Sequence, residues 1–226
     1  MAIAYDNSVS QQTVSPCSTS FTVATGATIG VVGLLNGASG WSPSSVTWGG
    51  VAMTQVATLS GLVDGNYKMF LYTINNPTSG ASVTVTCTSG TSSGGIFMVA
   101  ASYTGSMGTS EASHTDTNVS TTITNTVTTL TNNAWTVGVA CNSTDGGGAL
   151  PSANSGCTRR ILGDNILALF DSNAAITPAG SKSMVYNVTG NTSGGIIISI
   201  PVFSVTKDWR FTHHIRPRPF GPGLAR

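Results

Sequence analysis

Charge is what this 226-residue chain has least of: Asp, Glu, Lys and Arg together make up 8% of it, against about a quarter in an ordinary soluble domain. Glu111 is the sole glutamate, and His114, His213 and His214 are the only histidines. Catalysis needs positioned acids, bases or nucleophiles. The aspartates Asp6, Asp64, Asp116, Asp145, Asp164, Asp171 and Asp208 are instead scattered, mostly in turn-like sequence, and no expected strand carries two carboxylates. That argues against the paired-carboxylate sites that hydrolyse glycosides on β-rich folds. The sequence predicts no enzyme, no catalytic residue and no cofactor. A net charge of +1 also argues against a global electrostatic footprint for nucleic acid.

Long apolar runs are missing too. The longest, 196–205, is interrupted by Ser199 and Pro201 and is about half the roughly 20 residues of a spanning helix, so no membrane partner is expected. No segment repeats its apolar residues at the helical period. The start, Met1-Ala2-Ile3-Ala4-Tyr5-Asp6, has neither the basic region nor the apolar stretch of a secretory signal. The four cysteines, Cys17, Cys87, Cys141 and Cys157, contain no CxxC pair, which excludes a zinc-knuckle pattern. Cys141 and Cys157 flank one loop and are candidates for a bridge; the plainer reading is four small buried thiols. Asp64-Gly65-Asn66 and Asp145-Gly146-Gly147-Gly148 offer oxygen ligands, but Asx-Gly pairs are foremost turn formers, and no metal site is assigned.

What is present is a surface chemistry of Ser, Thr, Asn and Gly around 40% hydrophobic residues in alternating patterns. This composition is common outside cells and in particles, while disorder does not fit it. Ile29, Val31 and Leu35 alternate with Gly30, Val32 and Leu34, which predicts a strand buried on both faces. Ser45-Val46-Thr47-Trp48, Gly49-Gly50 and Val51-Ala52-Met53-Thr54 read as a hairpin with a two-residue turn. Further strands are expected at 67–74, 82–88 and 96–103. In the Thr-rich run 111–131, Ile123, Asn125 and Val127 would share one face of a strand, opposite Thr122, Thr124, Thr126 and Thr128. Trp41 and Trp48 admit two readings, a sugar-stacking platform or, more commonly, the closed end of a β core.

The chain also matches itself. Gly90-Thr91-Ser92-Ser93-Gly94-Gly95-Ile96 reappears as Gly190-Asn191-Thr192-Ser193-Gly194-Gly195-Ile196, an ungapped offset of 100. Asn66-Tyr67-Lys68-Met69-Phe70-Leu71 faces Asn165-Ile166-Leu167-Ala168-Leu169-Phe170, and 27–36 resembles 133–142, ending in Leu35-Asn36 and Cys141-Asn142. Two tandem domains or two halves of one sandwich would both give such a repeat. The second is preferred, because no linker separates the halves and each has few strands for an independent domain. The expected organisation is one β-sandwich domain over 1–205, with pseudo-repeats at about 20–105 and 118–205.

Residues 206–226 form a different kind of sequence. Five of the nine Lys and Arg fall there (Lys207, Arg210, Arg216, Arg218 and Arg226), with His213, His214, Pro217, Pro219 and Pro222. Proline at this density favours an extended arm. Trp209, Phe211 and Phe220 are candidate anchors in a neighbouring subunit, and Arg210, Arg216 and Arg218 candidate register contacts. Phosphate contact by this basic stretch is the rival reading; it would be weak and without sequence preference.

Val46-Thr47-Trp48-Gly49-Gly50-Val51-Ala52-Met53-Thr54, Phe70-Leu71-Tyr72, Asn75-Asn76-Pro77 and Ala100-Ala101-Ser102-Tyr103-Thr104-Gly105 resemble jelly-roll β-sandwich proteins of tailed bacteriophages, many of them virion accessory or decoration proteins. The resemblance spans about residues 20–205 and rests on turns and core strands. It implies an antiparallel jelly-roll-like sandwich of two similar halves and a non-enzymatic virion role in capsid decoration or attachment. The implied partners are other virion proteins or copies of itself, docked through the arm. The alternative is an extracellular carbohydrate-binding or adhesive module, with host-surface glycans as partners.

Overall fold

β-branched and aromatic residues alternating with Ser and Thr, punctuated by turn formers, build strands. The computed structural model describes residues 2–37, 40–63, 65–89, 95–106, 110–118, 121–142, 151–188 and 192–202, and contains no helix among them. The first part of the chain supplies β1 (Ala4–Thr13), β2 (Cys17–Val23), β3 (Ala27–Asn36), β4 (Ser45–Trp48), β5 (Val51–Ala52), β6 (Thr54–Leu62), β7 (Tyr67–Asn75), β8 (Ala81–Thr88) and β9 (Ile96–Thr104). The second supplies β10 (Ala112–Asn118), β11 (Thr122–Thr128), β12 (Trp135–Cys141), β13 (Ser152–Ser155), β14 (Thr158–Gly163), β15 (Leu167–Asp171), β16 (Ser181–Asn187) and β17 (Ser193–Ile200).

These strands pair antiparallel into four sheets. A first central sheet runs β1-β9-β3-β7-β6 and a first outer sheet β2-β8-β4-β5; a second central sheet runs β10-β17-β12-β15-β14 and a second outer sheet β11-β16-β13. Three apolar cores order them in layers. Val32, Leu34, Phe70, Tyr72 and Met98 of the first central sheet meet Phe21, Trp48, Val83 and Val85 of the first outer sheet. Val31, Leu71, Val99 and Tyr103, on the opposite face of that central sheet, meet Val137, Val139, Leu169, Ile196 and Ile198 of the second central sheet. Ala140, Phe170 and Ile197 then meet Ile123, Val127, Met184 and Tyr186 of the second outer sheet. Both central sheets are covered on both sides, which is why β12 is buried along its whole length and β3 everywhere but at Thr28. The outer sheets are covered on one side only, and β8 and β11 alternate accordingly.

Several expectations hold locally. Gly49 and Gly50 have φ of 57° and 81°, and Thr47 pairs with Ala52 and Trp48 with Val51 across the expected turn. Asp164 and Asn165, at φ of 45° and 62°, close the β14–β15 turn, a conformation these two short polar side chains tolerate. In β11, Ile123, Asn125 and Val127 are buried, opposite the threonines.

The ungapped 100-residue offset does not survive. Ile96 points into the first outer core and Ile196 into the central core. A strand shifted by one residue turns every side chain to the other face, so these two isoleucines are not structural counterparts. Gly195 lies inside β17 opposite Ala140, whereas Gly95 precedes β9, and Gly94 falls outside the described residues. The match of Met69 to Ala168 fails in the same way, one central and the other outer. Leu35 and Cys141 do share the central core, and Asn36 and Asn142 are both buried.

Candidate functional site

The sequence-predicted docking residues Trp209, Arg210, Phe211, Arg216, Arg218 and Phe220 lie outside the described residues, as do His213, His214, Asp64 and the glycines 146–148. Trp41 and Trp48 are 1% and 0% exposed, stacked edge-on against Phe70 and Phe21, with Trp48 Nε1 donating to the Thr78 carbonyl at 3.2 Å. They close the core between first outer and first central sheet and offer no platform to a sugar. His114 stands exposed on β10, and among the described residues no three His, Cys, Asp or Glu converge to hold a metal ion.

Most of the described carboxylates are spent on holding strands together. Asp6 sits at a bulge in β1; its Oδ2 accepts from Ser102 Oγ of β9 at 2.6 Å and from the Ala24 amide, just past β2, at 2.8 Å. Glu111, just before β10, does the same in the second part of the chain: its Oε2 accepts from Ser199 Oγ of β17 at 2.9 Å and from the Leu130 amide, past β11, at 3.0 Å. Sequence reading marked Asp6 and Glu111 as scattered acids. The signal that would have linked them is the serine each grips on a strand of four or more apolar residues.

The third acid lies at the seam. Asp171, fully buried at the end of β15, accepts from Arg160 Nε of β14 at 2.7 Å and from the Asn173 amide at 2.9 Å. The Arg160 guanidinium also donates to Asn173 Oδ1 and lies 4.4 Å over the ring of Tyr5 in β1. Tyr103 of β9 lies edge-on to Tyr5, and burial, with the Asp171 charge adding to it, pushes its hydroxyl well above the ordinary tyrosine range. Burial raises the Asp171 carboxyl above the ordinary carboxylate range, the Arg160 charge opposing it only in part. Two aromatic residues of the first central sheet thus cover an ion pair of the second. The pair works as a clasp between the two sheets.

The solvent faces of the two outer sheets are hydroxyl fields. Ser18, Ser20 and Thr22 of β2, Thr84 and Thr86 of β8 and Ser45 of β4 share one face, with side-chain hydrogen bonds of 2.7 Å joining Ser18 to Thr86 and Ser20 to Thr84. On the opposite end of the stack Thr126 and Ser183 make the same 2.7 Å link. Only Val14, Val51 and Leu130 expose large apolar side chains among the described residues. Chemically these faces offer neutral donors and acceptors. No family model, curated protein or solved structure matches the chain.

Proposed function

We propose that the chain is one jelly-roll-like β-sandwich domain built from two similar halves packed face to face, serving as a non-enzymatic structural protein of a bacteriophage virion. Its role would be capsid decoration or attachment, with residues 206–226 as the docking segment. The duplication is supported by strand order. Replacing β1, β9, β3, β7 and β6 by β10, β17, β12, β15 and β14 turns the first central sheet into the second, and β2, β8 and β4 correspond likewise to β11, β16 and β13. The paired clasps of Asp6 and Glu111 fall on this correspondence, with Ser102 and Ser199 in matching places. The correspondence shifts β9 onto β17 by 97 residues rather than 100, which puts Val99 and Ile196 on the same face.

The observation that carries the structural role is where the charge goes: Asp6, Glu111 and Asp171 each tie strands to one another. A rigid, nearly uncharged body followed by a Pro-rich basic stretch with Trp209, Phe211 and Phe220 fits a subunit that is carried and attached. Mass spectrometry of purified particles from the source should find the chain at fixed stoichiometry. Deleting 207–226 should leave the melting temperature within about 2 °C, on the scale of a surface change, and remove the protein from particles. Normal incorporation of the truncated chain, or its absence from every particle, overturns the reading.

The hydroxyl faces favour the alternative of a carbohydrate-binding or adhesive module, since neutral hydroxyl arrays match the donors and acceptors of uncharged glycans. A glycan array with the full chain separates the two: saturable binding that is lost on Thr84→Lys supports the second.

A further inference from the structure

Of the four cysteines, one pair stands in register. Cys17 opens β2, Cys87 lies one residue from the end of β8, and the two are direct cross-strand partners in the first outer sheet. Opposed residues project from the same face, and both side chains enter the core beneath that sheet, fully buried and as free thiols. Opposed Cα atoms of an antiparallel pair are about 4.5 or 5.5 Å apart, and either value falls within the roughly 4.4–6.8 Å that a disulfide spans. The pair suggested by chain spacing is ruled out by layering: Cys141 faces the central core, whereas Cys157 packs from the other side of the second central sheet, against the second outer core. In the second outer sheet, where Asn125 and Met184 stand as Phe21 and Val83 do in the first, the matching place falls on Thr121 and Val188, so packing alone does not call for two thiols facing each other.

We propose that Cys17 and Cys87 form a cross-strand disulfide by exchange with a small-molecule disulfide such as oxidised glutathione, fastening edge strand β2 to β8. The Cys17 thiol gives its proton to solvent and attacks one sulfur of the small disulfide, expelling one thiolate. Cys87 then loses its proton and attacks the Cys17 sulfur, closing the bond and expelling the second. Two protein thiols are oxidised and one disulfide is reduced to two thiols. Burial pushes Cys17 up to about 11 and Cys87 up to about 12, so the closed sheet holds little thiolate and exchange waits for opening of β2. Among the described residues that strand pairs on one side only, and Cys17 is its first residue, where fraying begins.

The test uses the full chain, refolded from guanidinium in a buffer of oxidised and reduced glutathione, then denatured, alkylated and mapped by mass spectrometry. A peptide linking Cys17 to Cys87 is expected, with Cys141 and Cys157 alkylated. The oxidised form should melt about 10 °C above the reduced one, as closing a long loop requires, and the shift should vanish in Cys87→Ala. Alkylation of both Cys17 and Cys87, a different pairing, or an oxidised form that melts no higher would each overturn the proposal. The measurement on the unaltered chain stands even if Cys87→Ala fails to fold.

Discussion

Gly33 of β3 faces Val139 of the second central sheet across the central core. A Cβ placed on it would lie 2.5 Å from a Val139 methyl and 3.0 Å from a Val99 methyl, so even alanine must push the layers apart. Gly33→Ala should cost about 1–3 kcal/mol, the usual price of overpacking, and urea denaturation would register it; an unchanged midpoint would mean that the seam slides freely. A few strands away, Arg160 compensates a carboxylate that water cannot reach. Arg160→Ala leaves Asp171 buried and alone, which costs about 3 kcal/mol near neutral pH. The sign with pH follows from the raised carboxyl. The folded state holds the Asp171 proton more tightly than the unfolded chain, so this group's contribution to stability falls as pH climbs from the unfolded value toward the folded one. Without Arg160 the folded value rises further. The variant should therefore lose clearly less stability at pH 4.5 than at pH 7.5, as urea melts at the two pH values would show. Equal losses would mean that the arginine acts through packing on Tyr5 alone.

Strands with a strong face signal were legible, and those without one were not. β3 reads as doubly buried because Gly30 and Gly33 are the only gaps in its apolar run, and β11 reads correctly because threonines alternate with Ile123, Asn125 and Val127, the apolar pair on either side of Asn125 setting the buried face. β1 was missed: Ala4–Thr13 is polar, almost entirely half-buried, and lies at a sheet edge where packing imposes little pattern. The ion-pair clasp was illegible for a different reason, since Arg160 and its covering Tyr5 meet only after the sheets have stacked. The arm could be read as composition alone. Alternation on β8 gives an element-scale test. Thr84→Asp, on the hydroxyl face, should shift stability by no more than about 0.5 kcal/mol. Val85→Asp, one residue on and fully buried, should bury a charge and abolish the folded state. Circular dichroism of the two variants decides whether the register is as described.

At the scale of the whole molecule, the central core belongs to neither part of the chain. Val31, Leu71 and Val99 supply one wall of it, and Val137, Leu169 and Ile198 the other. The expected consequence is a single cooperative unfolding transition. Residues 1–106 produced alone should keep the first outer core but bare an apolar sheet face, and should self-associate; light scattering that finds a stable monomer would show that the layers are independent. The same shared wall has a consequence in time. A ribosome adding about 5–20 residues per second completes β9 and then needs roughly 100 more residues, on the order of ten seconds, before β17 emerges. Throughout that interval the nascent first sheet carries an uncovered apolar face, and neighbouring chains on one polysome carry the same face. Yield of properly paired protein should then depend on how far apart translating ribosomes are spaced, with slow initiation and low temperature favouring the chain's own second sheet over a stranger's first.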